Sequence, residues 1–289
     1  MNRKVNHKLV QWFIDVAHGR TSVVEPPSAI IPSGFQAAYV KNVDGSLGEK
    51  WTLVTCGKDC YISTGCKNCP ARRIAGYVQC LPSRLLVPLK WKIPRVIFAC
   101  NEGDLFHRSV SDEFIAMALA VMESCPHHRF ILLTKRAERM GSLLSDPRFL
   151  LMVSELGYQL LGDSYQNWGT HFGFNILAGV SVEDQDHVHR ASILPSLPEA
   201  MTKTIFVAPQ ITHVDLHRFL RATGWVVSGG ERGCKNPRPC PLEWQLDLDH
   251  QCKRAKVPFF LLRRHDPAWV KKAGGPRLEY PAILGASRS

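Results

Sequence analysis

Residues 129–140 read RFILLTKRAERM, an apolar run that ends in three polar side chains and is followed by a segment rich in charged residues. A short apolar run with a polar boundary is typical of a buried strand. Six other runs have the same character, and longer amphipathic segments separate them. This alternation predicts an α/β fold with a parallel (β/α) barrel, complete or partial. The seven predicted strands are WTLVTC (51–56), RVIFAC (95–100), RFILLT (129–134), NILAGVSV (175–182), KTIFVA (203–208), WVVSGG (225–230) and PFFLLR (258–263).

Two of the intervening helices have clear start signals. Ser111 is a predicted N-cap, and Asp112 and Glu113 place carboxylates at the positive end of the helix dipole. The buried stripe of this helix is predicted to contain Phe114, Met117, Ala118 and Val121. Pro241 predicts the start of a second helix, which runs towards Lys256 with Leu248, Cys252 and Ala255 on one side.

The chain divides into three predicted segments. Residues 1–50 form an N-terminal extension, with one short amphipathic helix, that packs on the barrel. Residues 51–266 form the barrel, in which 141–174 is a longer insertion between strands. Residues 267–289 form a basic C-terminal tail, loosely ordered, that carries Lys271, Lys272, Arg277 and Arg288.

Polar residues and glycines gather just past several strand ends. In barrels and open parallel sheets, the carboxyl ends of the strands form the edge that carries the active site. We therefore predict that these residues bind a cofactor or substrate. They are Asn101, Glu102, Asp104, Thr134, Lys135, Arg136, Ser181, Glu183, Gly229, Gly230 and Glu231.

The composition favours a polyanionic partner. Lys and Arg number 36 against 25 Asp and Glu, which gives a formal charge of +11, so DNA or RNA is the expected partner. A generally basic surface is the alternative. The N-terminus has no apolar core typical of a signal peptide, and no run has the length of a membrane span, so the sequence predicts a soluble cytoplasmic protein.

Four of the ten cysteines fall within residues 56–69. Cys60, Cys66 and Cys69 have the spacing C-x5-C-x2-C directly after the first predicted strand. Three thiolates on one loop can hold three irons of a [4Fe–4S] cluster and leave the fourth iron open. A zinc site of Cys56, Cys60, Cys66 and Cys69 is the main alternative, although zinc ribbons usually separate their cysteine pairs by about a dozen residues or more. Uncommitted thiols are the third possibility.

The other cysteines and the paired histidines give weaker signals. Cys80, Cys100, Cys125 and Cys252 lie in apolar contexts and are predicted to be core residues. Cys234 and Cys240 flank a proline-rich loop and fit either a core or a ligand role. Exposed or internally hydrogen-bonded side chains are the better interpretation of the two histidine pairs, which are His127 with His128 and His187 with His189.

Several segments, in the same order along the chain, resemble a phage-encoded family of radical S-adenosylmethionine proteins. The matching segments are STGCKNC (63–69), NEGDLFH (101–107), DEFI (112–115), LTKRAERM (133–140), GVSVEDQ (179–185), WVVSGGE (225–231), RP (238–239) and QC…VPFF (251–260). The resemblance implies a radical-type barrel, a [4Fe–4S] cluster and S-adenosylmethionine. The cluster passes an electron to S-adenosylmethionine, and the resulting 5′-deoxyadenosyl radical abstracts a hydrogen from the substrate.

The chain departs from this family pattern in four places. Five residues rather than six separate the first two cluster cysteines, so Cys56 stays a possible substitute ligand, and Pro70 replaces an aromatic residue. Ala208 stands where the family has a glutamate, and Leu-Leu-Arg replaces Phe-Lys-Gln after VPFF. Because a carboxylate and a lysine have left the expected pocket, the substrate should differ from that of the commonest family member.

Individual roles follow from residue chemistry. Glu231, after two glycines, can accept a hydrogen bond from the amino group of S-adenosylmethionine; a simple strand-end turn is the alternative. Lys135 and Arg136 are candidates for binding the methionine carboxylate or a substrate phosphate, unless they only begin a solvated helix with Thr134 as its N-cap. Asn101, Glu102, Asp104, Ser181 and Glu183 are candidates for ribose, adenine or substrate contacts.

The leading functional hypothesis is a radical enzyme that modifies or isomerises a glycyl-modified thymine base in phage DNA, and isomerisation is the narrower form of this hypothesis. An external donor of flavodoxin or ferredoxin type would supply electrons in the infected bacterial cell. Work on a duplex base requires its extrusion, for which Trp51, Trp91, Phe106 and Trp225 are stacking candidates, although core packing is the simpler role. The alternatives are a non-catalytic iron–sulfur or zinc nucleic-acid-binding protein, and radical modification of tRNA or a small metabolite.

Overall fold

A curled, all-parallel sheet of seven strands organises the protein as a half-barrel. The computed structural model describes residues 5–22, 48–57, 60, 62–69, 77–231, 236–262, 279, 281 and 284. The strands lie in sequence order from β1 to β7. Their bounds are β1 Glu49–Trp51, β2 Val96–Ala99, β3 Arg129–Thr134, β4 Ile176–Ser181, β5 Thr202–Val207, β6 Trp225–Ser228 and β7 Phe259–Leu261. The predicted α/β class and the parallel, partly closed sheet are confirmed.

The first strand has the largest difference between its predicted and observed bounds. The sequence predicts it over 51–56, whereas β1 ends at Trp51. Beyond that point the chain leaves β2, and the backbone instead pairs with residues 79–81: Thr55 N–H donates to the carbonyl of Gln79 at 2.9 Å, and Leu81 N–H donates to that of Leu53 at 2.8 Å. The apolar residues Leu53 and Val54 are therefore buried outside the sheet.

Alternate strand residues face opposite sides of the sheet, as the pleat requires. Phe98, Ile131 and Leu177 form, with side chains of β5, β6 and β7, a small apolar cluster made almost entirely of strand residues. Their neighbours Ile97, Leu132 and others belong to the much larger core that includes the helices. The small cluster therefore fills the concave side, and the helices cover the convex side.

Five α-helices accompany the sheet in the part of the chain that the structure describes. They are α1 His7–Ala17, α2 Asp112–Glu123, α3 Ala137–Leu144, α4 Pro147–Leu161 and α5 Leu242–Ala255. The predicted N-cap is confirmed, because Ser111 Oγ accepts a hydrogen bond from Phe114 N–H at 3.2 Å. Pro241 directly precedes α5 as predicted, and the left-handed Lys256 (φ 58°) caps its end. A 3-10 segment over Gln185–Ser196 takes the place of a helix between β4 and β5.

Helix α2 is buried around almost its whole circumference, beyond the predicted stripe. The phenyl rings of Phe13 in α1 and Phe114 in α2 are 5.1 Å apart, and Asn6 N–H donates to Glu113 Oε1 at 2.9 Å. On another side, Glu123 accepts hydrogen bonds from Tyr165 Oη at 2.6 Å and from Trp168 N–H at 3.0 Å. The N-terminal helix and the segment after α4 thus enclose α2.

The predicted insertion at 141–174 is partly a regular crossover. Residues 141–144 complete α3, and α4 occupies Pro147–Leu161, where Asp146 Oδ1 accepts from Arg148 N–H at 3.0 Å as the N-cap. The helix packs its apolar side on α2, so it belongs to the convex core. Of the predicted N-terminal extension, residues 1–4 and 23–47 lie outside the described part of the chain, as do the basic residues of the predicted tail and Cys234.

The histidines of both pairs are exposed or hydrogen-bonded, as predicted. His128 is fully buried: its Nδ1 accepts from Arg95 N–H at 3.2 Å, so Nε2 donates to the carbonyl of Pro88 at 3.1 Å. His127 is exposed. His187 Nδ1 contacts Asp184, and His189 Nδ1 contacts the carbonyl of Asp186 at 2.7 Å.

We expect the pH dependence of folding to report on His128. Burial, with a smaller contribution from His127, lowers the pKa of His128 from 6.5 to about 4. As the pH falls, His128 therefore takes up a proton in the unfolded chain at a higher pH than in the folded chain. The free energy of unfolding is highest above about pH 6.5 and falls by at most about 3 kcal/mol as the pH drops towards 4. Urea unfolding between pH 7 and 4 should show this loss, and His128→Gln should flatten it. The exposed control His127→Gln should keep the slope, and an unchanged slope in His128→Gln would contradict the assignment.

None of the helices in the described residues combines the length and apolar character that crossing a bilayer requires.

Candidate functional site at the carboxyl edge of the sheet

The carboxyl ends of β1 to β4 and β6 bring the cysteine segment and most of the predicted polar residues to one edge. The cysteine segment, residues 56–69, follows β1. Its described part contains a 3-10 turn at Thr64–Cys66. Within it, Cys66 N–H donates to the carbonyl of Ser63 at 2.9 Å, and Cys69 N–H donates to that of Cys66 at 3.2 Å. These turns bring Cys66 and Cys69 close together on the segment.

The start of this segment rests against the loop after β2. A Cβ atom on Gly103 would lie 2.3 Å from the carbonyl oxygen of Val54, so only glycine permits this approach of the two backbones. The residue that opens the β2 loop, Cys100, has a left-handed backbone (φ 56°). The NEGD sequence (101–104) therefore lies directly beside the base of the cysteine segment.

The thiols of this segment have different environments. Cys56 is buried, whereas Cys60, Cys66 and Cys69 are partly exposed. Hydrogen bonding to the Cys60 and Cys69 thiols, followed by burial, raises the pKa of Cys56, so that it stays a protonated donor. The same bond from Cys56 lowers the pKa of Cys60; burial opposes this effect and the Arg136 charge adds to it. Of Cys56 and Cys60, the thiol that more readily ionises is thus Cys60.

Arg136 fixes the backbone at Cys60. Its Nη2 donates to the carbonyl of Cys60 at 3.2 Å, and its Nη1 donates to Asp104 Oδ2 at 2.8 Å. Asp104, which is 6% exposed, also accepts from Thr134 Oγ1 at 2.7 Å and from the backbone N–H groups of Lys135 (3.1 Å) and Phe106 (3.0 Å). One carboxylate therefore connects the ends of β2 and β3 to the cysteine segment.

Glu183 forms a second connection, from the end of β4. Its Oε1 accepts from Ser63 Oγ and from Lys135 Nζ, the latter at 2.9 Å, and its Oε2 accepts from Arg190 Nη1 at 2.8 Å. Lys135 Nζ also lies 3.5 Å from Cys66 Sγ and 3.3 Å from Ser63 Oγ. A Cβ on Gly65 would be 2.7 Å from the Glu183 side chain, so glycine is needed where the turn meets this carboxylate.

Charge pairing keeps both partners of this buried pair ionised. Burial acts to raise the pKa of Glu183, but Lys135 and Arg190 together lower it below its usual value. Burial likewise acts to lower the pKa of Lys135, and the Glu183 carboxylate and the Cys66 sulfur raise it instead. The structure therefore contradicts the alternative interpretation of Lys135 and Arg136 as the solvated start of a helix.

Glu231 provides a third connection, from the end of β6. Asn68 Nδ2 donates to its Oε2 at 2.9 Å, and Arg238 donates to the same oxygen from its backbone N–H at 2.7 Å and to Oε1 from Nε at 3.0 Å. Burial acts to raise the pKa of Glu231, but the Arg238 hydrogen bonds lower it. The carboxylate is therefore ionised and lies beside the cysteine segment.

The remaining predicted residues lie at the same edge without joining these connections. Asn101 Nδ2 is buried and has no partner among the described residues. Burial raises the pKa of Glu102, which is 8% exposed. Among the described residues, Ser181 contributes its carbonyl oxygen, which accepts from Arg190 Nη1 at 2.8 Å, and no side-chain hydrogen bond. Gly229 and Gly230 pack against Leu262 and Cys240, respectively.

Ala208, where the family has a glutamate, also lies at this edge, whereas Pro70 and Arg263, at two other departures, are outside the described residues. Ala208 packs on the concave cluster, and the peptide between Ala208 and Pro209 is cis. Gln210, which follows, is buried and accepts from Ser228 Oγ at 2.9 Å. The stacking candidates Trp51, Phe106 and Trp225 are core residues, in agreement with the simpler role, and Trp91 packs with His128 and Arg95.

Sequence reasoning missed four partners of the predicted residues. Ser63, Asn68 and Arg238 lie inside segments that carry the family resemblance, and this position was the only signal available for them. Arg190 has no local signal, because it is one of 36 basic residues in an unremarkable segment. Cys80, Cys100, Cys125 and Cys252 pack in the core, as predicted, and Cys240 is also buried.

The thiols of the cysteine segment fit an iron–sulfur cluster better than a single metal ion. In the described part of the chain, no three His, Cys, Asp or Glu side chains form a group able to hold a single metal ion. A cluster requires a different ligand geometry from a single metal ion, because each thiolate binds its own iron and the sulfurs need not converge on one point. Three partly exposed thiols on one short segment, with two cationic side chains beside them, fit that requirement chemically.

Comparisons with known proteins gave one match. A model of the family described as "Protein of unknown function (DUF5131)" matches residues 50–274, a range that contains β2 to β7, all of β1 except Glu49, and the whole candidate site. Searches of curated proteins and of solved structures found no match. Because the match covers well over half of the chain, the protein belongs to this family of unknown function.

Proposed function

We propose that this protein is a radical S-adenosylmethionine enzyme whose cysteine segment holds a [4Fe–4S] cluster through Cys60, Cys66 and Cys69. The observation that carries the proposal is the attachment of this segment to three strand ends. Arg136 binds the Cys60 carbonyl, Glu183 binds Ser63, and Glu231 binds Asn68. Buried ionic and hydrogen-bonding side chains thus fix a short loop of thiols, an arrangement that a preorganised metal site requires and a structural turn does not.

The proposed ligands differ from the remaining thiol in accessibility. Cys60, Cys66 and Cys69 are partly exposed, whereas Cys56 is buried and donates to Cys60. These three thiolates would hold the cluster and leave one iron for S-adenosylmethionine, and the reduced cluster would supply the electron that generates a 5′-deoxyadenosyl radical. In this account, Cys56 orients Cys60 and does not replace it.

The residues at the edge would hold the loop and the ligand. Asp104 and Arg136 fix the first cysteine, Glu183 and Lys135 fix the second, and Asn68 links the loop to Glu231. Because Glu231 is ionised beside the loop, an amino group of a ligand bound there would meet a carboxylate acceptor. Gly229 and Gly230 present backbone without side chains at the same strand end.

The proposed substrate is a base in DNA, specifically a glycyl-modified thymine on which the enzyme acts as an isomerase. The formal charge of +11 favours a polyanion, and the departures at Ala208 and after VPFF favour a specialised substrate. An external donor of flavodoxin or ferredoxin type would supply the electrons, in the cytoplasm of a phage-infected bacterium. The modified base itself comes from the family resemblance alone.

The direct test of this function is S-adenosylmethionine cleavage. Anaerobically reconstituted protein, reduced with dithionite, should release 5′-deoxyadenosine from S-adenosylmethionine, and DNA that contains the modified base should increase the yield. No 5′-deoxyadenosine from protein with a full cluster would refute the radical chemistry. If tRNA or a small metabolite, but not DNA, increases the yield of 5′-deoxyadenosine, the radical chemistry is supported and only the proposed substrate is wrong.

A second candidate function is non-catalytic binding of nucleic acid by a zinc-stabilised loop. One observation favours it: the Cys56 thiol hydrogen-bonds to those of Cys60 and Cys69, three of the four thiols of the alternative zinc site. Zinc would have to draw these thiols closer, because no three such side chains in the described residues form a group that holds a single metal ion. The two candidates differ in the metal found and in salt dependence. Zinc as the sole bound metal, with DNA affinity that falls steeply as salt rises, would favour the binding protein.

A further inference from the structure

Lys135 has contacts that neither helix formation nor surface solvation explains. Its ammonium lies 3.5 Å from Cys66 Sγ, 2.9 Å from Glu183 Oε1 and 3.3 Å from Ser63 Oγ. The side chain is only 19% exposed, although it follows directly after a strand. The donor is therefore directed at the sulfur of one cysteine from within the protein.

The surroundings of Lys135 hold this geometry in place. Glu183 is 1% exposed and is bound on its far side by Arg190, which is itself 5% exposed. Gly65, next to Cys66, packs against the Glu183 side chain with no room for a Cβ. A chain of buried contacts thus runs from Arg190 through Glu183 and Lys135 to Cys66.

We propose that Lys135 is a positioning residue that raises the reduction potential of the cluster through its N–H···S contact and its charge at Cys66. This inference rests on the proposed function, since it requires a cluster bound at Cys66. Reduction transfers one electron from the external donor to the cluster, with no bond made or broken, and so adds one negative charge. A buried cation beside a ligand sulfur favours the more negative state, because hydrogen bonds to sulfur and local charge both set cluster potentials.

The test compares two lysines with equal formal charge and different placement. Lys135→Met removes the buried donor, whereas Lys67→Met removes an exposed lysine that directly follows Cys66 in sequence. In potentiometric titrations followed by electron paramagnetic resonance (EPR), Lys135→Met should lower the ratio of reduced to oxidised cluster at a fixed potential about tenfold. For a one-electron couple, this is a downward shift of about 59 mV. Lys67→Met should stay close to the wild-type value.

Lys135→Arg is the conservative rescue, because it restores a cationic N–H donor and should recover most of the potential. Lys135→Met could fold and yet bind no cluster, while Lys135→Arg binds one. That result would mean that Cys66 needs a cationic neighbour in order to bind iron, and it would support the positioning role of Lys135. Equal potentials for wild type, Lys135→Met and Lys67→Met would overturn the inference. A wild-type protein that binds no cluster would instead refute the proposed function, so the two failures are distinguishable.

Discussion

Replacing Glu183 with alanine is expected to lower the free energy of unfolding by about 3–5 kcal/mol, a large part of the roughly 5–15 kcal/mol typical of a folded domain. The change leaves Lys135 and Arg190 without the carboxylate that both contact, and Arg190 is almost fully buried. It also removes the acceptor of Ser63 Oγ. Urea unfolding of the two proteins measures the loss directly.

The matched control is Glu155→Ala, the same change at an exposed position on α4, which should alter stability by no more than about 0.5 kcal/mol. The loop should also loosen in Glu183→Ala, so amide hydrogens near Cys66 should exchange faster than in wild type. A loss below about 1 kcal/mol, with unchanged exchange at the loop, would mean that Glu183 does not anchor the cysteine segment.

Replacing Cys60, Cys66 or Cys69 individually with alanine should abolish cluster binding and, with it, all release of 5′-deoxyadenosine. Each thiolate is the proposed sole protein ligand of one iron, and no other described thiol is both accessible and held at the strand edge. Iron content, the visible absorption of the reconstituted protein and product release should fall together in each variant.

Two further alanine variants distinguish the cysteines that bind the cluster from those that do not. Cys80→Ala changes a partly buried cysteine outside the segment and should keep the cluster. Cys56→Ala should also keep it, with altered stability or potential, because Cys56 contacts Cys60 without being a proposed ligand. If Cys56→Ala loses the cluster while Cys60→Ala keeps it, the shortened spacing has moved the first ligand to Cys56.

The strands could be predicted because each is a short apolar run that ends in polar residues, and parallel pairing then requires their carboxyl ends to meet. For β3 the predicted and observed bounds agree, since Thr134 both ends the apolar run and binds Asp104. The error at β1 arose because Leu53 and Val54 are as apolar as strand residues. Their partners are residues 79–81, which no local pattern indicates.

The positions of the candidate site residues followed from the strand ends, but their partners did not. Lys135 was a candidate for a ligand carboxylate, and the structure instead pairs it with Glu183 and Cys66. That pairing depends on the separation of neighbouring strand ends and on the path of the cysteine segment. Both are properties of the tertiary structure, which is also why Arg190 could not be recognised.

The central claim is that Cys60, Cys66 and Cys69 hold an iron–sulfur cluster with one open iron. The most direct measurement is iron and acid-labile sulfide per chain after anaerobic reconstitution, with EPR spectra of the reduced protein before and after addition of S-adenosylmethionine. The account predicts about four iron and four sulfide per chain and a spectrum that changes when S-adenosylmethionine binds the open iron. Zinc as the only tightly bound metal would contradict this claim. So would a full cluster whose EPR spectrum does not change when S-adenosylmethionine is added.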